Sequence, residues 1–288
     1  MSPPDRKPRD DEIDVHGLTH IGKVRKQNQD HFLLASIHKR VEVHRTSLPA
    51  TNQVSFGDQR VAFVAMVADG VGGGEGGAEA SATALENAME YVASSMDCYY
   101  RSDSHEADFI NALQDAAIKS HHAVLARARE QQVEGKMATT LTLWMGVWPW
   151  IYLMQVGDSR CYQMRDGELT QISRDQTVAQ DLLDKGVFTR AVAARSQFAN
   201  VLSSSLGGEQ TEPVVTRVRS EWRNINLLCS DGLTKHVSDE RIAERLRTMQ
   251  SSRQVCEQLL QDALDGGGAD NITIIVGRSV RNDRPSSL

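Results

Sequence analysis

Four aspartates stand at the ends of apolar runs: Asp69 closes VAFVAMVA, Asp158 follows YLMQVG, Asp231 follows NLLCS and Asp270 precedes NITIIV. Taken singly, a carboxylate at a strand end is a turn former, because its oxygens accept hydrogen bonds from nearby backbone N–H groups. The Asp-Gly pairs at Asp166 and Asp265 do the same elsewhere in the chain. Several such ends brought to one sheet edge are different. Like charges repel, and the cluster calls for a cation. Oxygen ligands alone select hard ions such as Mg2+, Mn2+ or Ca2+. The other ligand types offer no competing set. Cys98, Cys161, Cys229 and Cys256 are scattered without a CxxC pair, which disfavours zinc or a redox dithiol. His31, His38 and His44 lack ligand spacing, and His121-His122 falls on the surface of a predicted helix.

The elements that must carry these aspartates can be read from periodicity. Val61 to Ala68 is a continuous apolar run, as a strand buried on both faces would be. A glycine-rich loop, Gly70 to Gly77, follows, and then an Ala- and Leu-rich helical stretch over 78–96. A second helix is predicted from about Glu106 to Glu130, with no Pro or Gly inside it. TTLTLWMGV, WIYLMQV, SRCYQMR and ELTQI then read as successive strands, the last two joined by Asp166-Gly167 as in a hairpin. INLLCS and NITIIVGR are two more, separated by a helical segment from about Ser238 to Leu264. Strands and helices in separate blocks predict an α+β layered fold. Residues 1–13 and 280–288 read as disordered tails around one domain, 14–279.

These segments also resemble a known family. GKVRKQNQD (Gly22 to Asp30), VADGVGGGEGG (Val67 to Gly77), MATTL (Met137 to Leu141), VGDSR (Val156 to Arg160), LLCSDGL (Leu227 to Leu233) and GGADNIT (Gly267 to Thr273) follow the order found in type 2C, metal-dependent protein phosphatases. The similarity spans roughly residues 15–278 and is greatest to compact bacterial members. It implies a four-layer α-β-β-α sandwich with a binuclear metal centre at one end of the β-sandwich. It further implies two Mn2+ or Mg2+ ions, with a third in many bacterial members, and hydrolysis of phosphoserine and phosphothreonine on targets of Ser/Thr kinases. By motif, Asp69 would bridge the metals and the Gly70 carbonyl would ligate the second. Asp231 and Asp270 would complete the first, and Asp158 would serve the third. Arg25 would grip the substrate phosphate, and Asp30 is the acidic residue that ends its motif. Asn271 is expected to hold its loop.

The chain departs from the family pattern at three places. Gln29 stands where many members have Glu, and Gly74 where many have a His able to protonate the leaving group. Asp175-Gln176-Thr177 opens the flap (175–198) where relatives often read Asp-His-Ser; in it Arg190 and Arg195 are candidates to meet acidic phosphopeptides or simply solvated charges.

Two rival readings remain at this level. Gly72, Gly74 and Gly77 satisfy GxGxxG between a strand and a helix, as in a dinucleotide-binding oxidoreductase. Against it, Asp69 would face the pyrophosphate, and a helix rather than a strand follows within the next 30 residues or so. A phosphatase-like interaction module, catalytically weak or inactive, would be expected to have lost a core aspartate, and Asp69, Asp231 and Asp270 are all present. Bulk properties agree with a globular enzyme: 40% hydrophobic and 24% charged residues in a chain of 288, with a net charge of −6. That balance argues against nucleic-acid binding. No apolar stretch is long enough for a membrane span, and the charged, Pro-rich start does not resemble a secretion signal. A monomer in a reducing cytoplasm is the expected setting.

Overall fold

The computed structural model describes residues 6–39, 59–71, 75–95 and 106–281. The apolar run forms β3 (Gln59–Val71). Its side chains alternate: Ala62, Val64, Met66 and Ala68 pack in one cluster, Ala65 and Val67 in another, and all are buried. A strand with no wet face needs no polar alternation, which is why it reads as unbroken.

β3 belongs to an antiparallel sheet ordered β2–β3–β5–β6–β9, formed with β2 (Asp30–Lys39), β5 (Leu141–Val147), β6 (Trp150–Val156) and β9 (Val214–Arg219). A short strand, β4 (Ala138–Thr139), adds to the end of β3. The second sheet runs β1–β11–β10–β7–β8, from β1 (Ile13–His20), β7 (Arg160–Arg165), β8 (Glu168–Gln171), β10 (Ile225–Cys229) and β11 (Ile272–Ser279). Ala65, Val67, Leu153, Cys161, Leu228 and Ile275 fill the space between the sheets. Helices α1 (Glu75–Ser94) and α2 (Glu106–Glu130) cover the first sheet. Ala80, Ala84, Ala88 and Val92 of α1 recur at a spacing of four and are buried. The second sheet is covered by α6 (Asp239–Arg247) and α7 (Ser252–Asp265) through Ile242, Leu246, Val255 and Leu259. This is the four-layer α-β-β-α sandwich.

Some expectations need correction. Residues 6–12, read as part of a tail, are held in place. Glu12 is buried and paired with Arg6 and Arg9, while Arg60 binds Asp10 and the Pro8 carbonyl. Charges that look solvated in sequence are paired with one another here, and β1 starts within the same segment, at Ile13. At the other end, Val280 N–H donates to the Glu12 carbonyl at 2.8 Å, and residues 1–5 and 282–288 lie outside the described set. The helical segment at 238–264 is two helices, broken where Ser251 caps α7 by accepting from Gln254 N–H. Strands β1, β2 and β9 had no clear sequence signal. All three are sheet edges, where half-buried faces tolerate polar side chains and blur the apolar pattern.

Among the described residues, no helix is long and apolar enough to cross a membrane. Cys161, Cys229 and Cys256 are free and buried; Cys98 lies outside the described residues.

Candidate metal centre

Asp69 is fixed first through its backbone. Its N–H donates to Thr140 Oγ1 at 3.0 Å, and its carbonyl accepts from Thr139 Oγ1 and Thr140 N–H, both at 2.9 Å. The two threonines of MATTL therefore act as a clamp on the end of β3. Next to it, Gly70 N–H donates to the Gln29 carbonyl at 3.2 Å. A Cβ on Gly70 would run into the carbonyls of Gly77 and Gln29, so only glycine allows this approach.

Asp30 begins β2 directly opposite Asp69 in the ladder. Its Oδ2 accepts from Ser230 Oγ at 2.6 Å and from Thr273 Oγ1 at 2.8 Å, linking β2 to the ends of β10 and β11. Asp231 opens α5 (Asp231–Thr234) immediately after Ser230. Asp270 precedes β11 on a turn held by Asn271. The Asn271 amide accepts from Gln29 N–H at 2.9 Å and donates to the Ile21 and Gln27 carbonyls at 2.9 and 3.0 Å. Asn271 thus ties the GKVRKQNQD segment to the Asp270 turn, as expected of a loop holder. Asp158 follows Gly157, whose N–H donates to Gln176 Oε1 at 2.7 Å.

The aspartates act on one another's charge. Burial, reinforced by Asp30, Asp231, Asp158 and Asp270, holds the Asp69 carboxyl well above the ordinary range. Burial, with Asp231 and Asp175 adding to it, lifts Asp158 to about 7 despite the opposing Lys235. Asp30 rises to about 6, because burial outweighs the hydrogen bonds from Ser230 and Thr273. Asp270 moves the other way: burial would raise it, but Arg25 and Lys235 together bring it below its usual value.

Two side-chain cations enter this cluster. Arg25 forks onto Asp270, with Nε 2.7 Å from Oδ1 and Nη2 2.9 Å from Oδ2. Lys235 Nζ lies 2.5 Å from Asp231 Oδ2 and 2.9 Å from Asp270 Oδ2. Meanwhile Asp30 Oδ1 and Asp231 Oδ1 are buried and have no hydrogen-bond partner among the described residues. Mutually raised carboxyls and orphaned oxygens fit a hard divalent ion in donor kind and in charge. The donors are not gathered around one point: among the described residues, no three His, Cys, Asp or Glu groups stand in ligating array. Arg25 and Lys235 hold the lone pairs such an ion would use.

A sequence profile of the family described as protein phosphatase 2C matches residues 49–266, about three quarters of the chain. The chain belongs to the protein phosphatase 2C family. Among the relatives of this phosphatase 2C chain is the serine/threonine protein phosphatase PstP of Mycobacterium tuberculosis, 35% identical over 219 residues; the match covers 75% of this chain and 40% of PstP. The match to PstP thus spans less than half the length of that relative. The serine/threonine phosphatase stp of Listeria welshimeri is 30% identical over 154 residues, covering 53% of this chain and 61% of stp. A crystal structure of the catalytic domain of PstP in complex with two manganese ions superposes with a TM-score of 0.71 at 29% identity, over 93% of this chain and 99% of that one. The layers described above are therefore the phosphatase 2C fold.

Sequence reasoning missed three participants. Lys235 gives no signal beyond standing four residues after Asp231, a spacing common to surface ion pairs. Asp175 accepts a forked contact from Arg160 of VGDSR, at 2.9 Å to Nε and 2.6 Å to Nη2, so this arginine braces the flap rather than facing the aspartates. Gln176, read as a departure from the family, uses both ends of its amide, accepting from Gly157 and donating to the Glu212 carbonyl at 2.8 Å. His121, expected on the surface, accepts from Gly207 N–H at 3.0 Å and lies 2.8 Å from the Thr211 hydroxyl. Arg190 and Arg195 of the flap are exposed, and Gly72, Gly73 and Gly74 lie outside the described residues.

Proposed function

We propose that this phosphatase 2C chain hydrolyses phosphoserine and phosphothreonine on proteins, reversing Ser/Thr kinase signalling, with Mn2+ or Mg2+ held by its aspartates. The observation that carries the reading is that the buried Asp69 carboxyl is raised by burial and by the charges of Asp30, Asp231, Asp158 and Asp270, which come from other strand ends, while Lys235 bridges Asp231 and Asp270. In this reading Asp69, the Gly70 carbonyl, Asp231 and Asp270 would hold two ions, with Asp69 serving both, and Asp158 would serve a weaker third. Bound there, divalent ions supply Lewis acidity, lowering the pKa of water and neutralising phosphoryl oxygens.

The rest falls to the chain's own groups. Arg25 is half exposed, and its planar fork matches two phosphate oxygens as well as it matches Asp270. Asp30 orders Ser230 and Thr273 beneath the aspartates. No side-chain nucleophile is required. Ser159 is buried with its hydroxyl 2.9 Å from that of Thr140, and burial pushes the Cys229 thiol up to about 12. The buried free thiols suit a reducing cytoplasm, and a monomer suffices for a site built from one chain.

The test is hydrolysis of p-nitrophenyl phosphate and of a phosphothreonine peptide with Mn2+, Mg2+, Zn2+ or EDTA. Activity is expected with Mn2+ or Mg2+, and none after Asp231→Asn or Asp270→Asn. Full activity after exhaustive chelation, or restoration by Zn2+ alone, overturns the reading.

A further inference from the structure

We propose that Lys235 is a tethered cation that neutralises Asp231 and Asp270 until a divalent ion displaces its ammonium, so that metal uptake is an exchange of one cation for another. The inference rests on the phosphatase reading above and adds a residue to it.

Lys235 follows α5, one helical turn after Asp231, and its backbone N–H donates to the Asp231 carbonyl at 2.8 Å. The backbone therefore holds the side chain beside the carboxylates it serves. Its Nζ reaches one oxygen of each, at 2.5 and 2.9 Å. A divalent ion shared by Asp231 and Asp270 would draw on the same two carboxylate charges, so the ammonium and the ion compete for them. Asp231 also keeps Oδ1 buried and without a hydrogen-bond partner among the described residues, so the amine leaves this carboxylate half satisfied. An exit exists as well. The Lys235 side chain is 31% exposed, on a flexible four-carbon stem, so its head can move to water without disturbing α5.

Two consequences follow. With Lys235 in place, the folded chain tolerates an ion-free site, because two of its carboxylates keep a counter-charge. An incoming ion must also overcome that counter-charge, which lowers its apparent affinity.

The experiment combines calorimetry, melting and labelling. Titration of Mn2+ into Lys235→Met should give a Kd about tenfold tighter than the wild type, equivalent to two lost charge contacts at a partly exposed site. The same variant should melt a few degrees lower in EDTA, so that the rise on adding Mn2+ widens. Lys235→Arg, which keeps the charge, should stay close to the wild type. In the wild-type chain, acetylation of Lys235 by an amine-reactive ester, read by peptide mass spectrometry, should increase several-fold at saturating Mn2+, while that of Lys119 should not change. The labelling stands even where Lys235→Met fails to fold.

An unchanged Kd and EDTA melting point in Lys235→Met, or Lys235 labelling that is unchanged or reduced by Mn2+, overturns the proposal. A wild-type chain that takes up no Mn2+ overturns the phosphatase reading itself, whereas uptake without any effect at Lys235 overturns only its role as a displaced cation.

Discussion

Arg25 faces a choice between two partners. Its fork is engaged by Asp270 at 2.7 and 2.9 Å, yet half of the side chain is open to solvent. A phosphate dianion offers the same two-oxygen geometry with more charge, so substrate should draw the guanidinium away from Asp270. Arg25→Ala should lower kcat/KM for a phosphopeptide about tenfold or more, the worth of a charge-assisted contact, chiefly by raising KM. Lys should rescue only part of it. Steady-state kinetics check this, and an unchanged kcat/KM removes Arg25 from the site. The carboxyls yield a second expectation. Asp30 and Asp158 stand at about 6 and 7 against 3.8 for an ordinary aspartate. An acid whose pKa is raised by folding binds its proton more tightly in the folded state. Its stabilising contribution is complete below the unfolded value and lost as pH rises through the folded one. In EDTA the melting temperature should therefore rise as pH falls from 8 to 5. The further rise caused by Mn2+ should shrink over the same window, because ligands must be ionised to bind. A flat EDTA profile in scanning calorimetry counts against the cluster. The aspartates could be read in advance because each ends an apolar run. Lys235 and Gln176 could not, since their partners lie in the fold and their residue types carry no signature.

The turn before β11 shows how secondary structure sets the site. Asn271 supplies one acceptor and two donors to segments some 240 residues earlier in the chain, and Gln29, whose N–H it accepts, is buried. Asn271→Ala removes all three bonds and strands that N–H, which costs about 2–4 kcal/mol. It should also loosen Asp270, so that both the urea midpoint and the Mn2+ affinity fall. Loss of one without the other would show that the turn and the aspartate are uncoupled. The helix α2 was placed residue for residue by its pattern, and β6 likewise, because long buried elements keep a strict period. The edge strands β1, β2 and β9 escaped it, since one exposed face and one free edge allow His, Asp and Arg among the apolar residues.

Taken together, the sheets explain why the sandwich could be anticipated but its strand order could not. Two blocks of strands and two of helices imply layers, whereas which strand ends, and so which aspartates, lie near one another depends on the strand order, β2–β3–β5–β6–β9 against β1–β11–β10–β7–β8, which periodicity does not encode. Family resemblance implied the meeting point, one end of the sandwich, without that order. The last strand is inserted between β1 and β10, pairing Ile13 with Ser279 and Cys229 with Ile274, and the Asn271 that fastens Gln29 comes just before it. A chain ended at residue 268 lacks Asp270, Asn271 and the whole of β11, which separates β1 from β10 and removes the buried Ile272, Ile274 and Val276 from the core. We predict that such a fragment gives no cooperative thermal transition and takes up no Mn2+ in calorimetry. During synthesis, then, the polypeptide emerging from the ribosome stays inert until β11 is out, and a protease that clips the chain just before this strand would silence it.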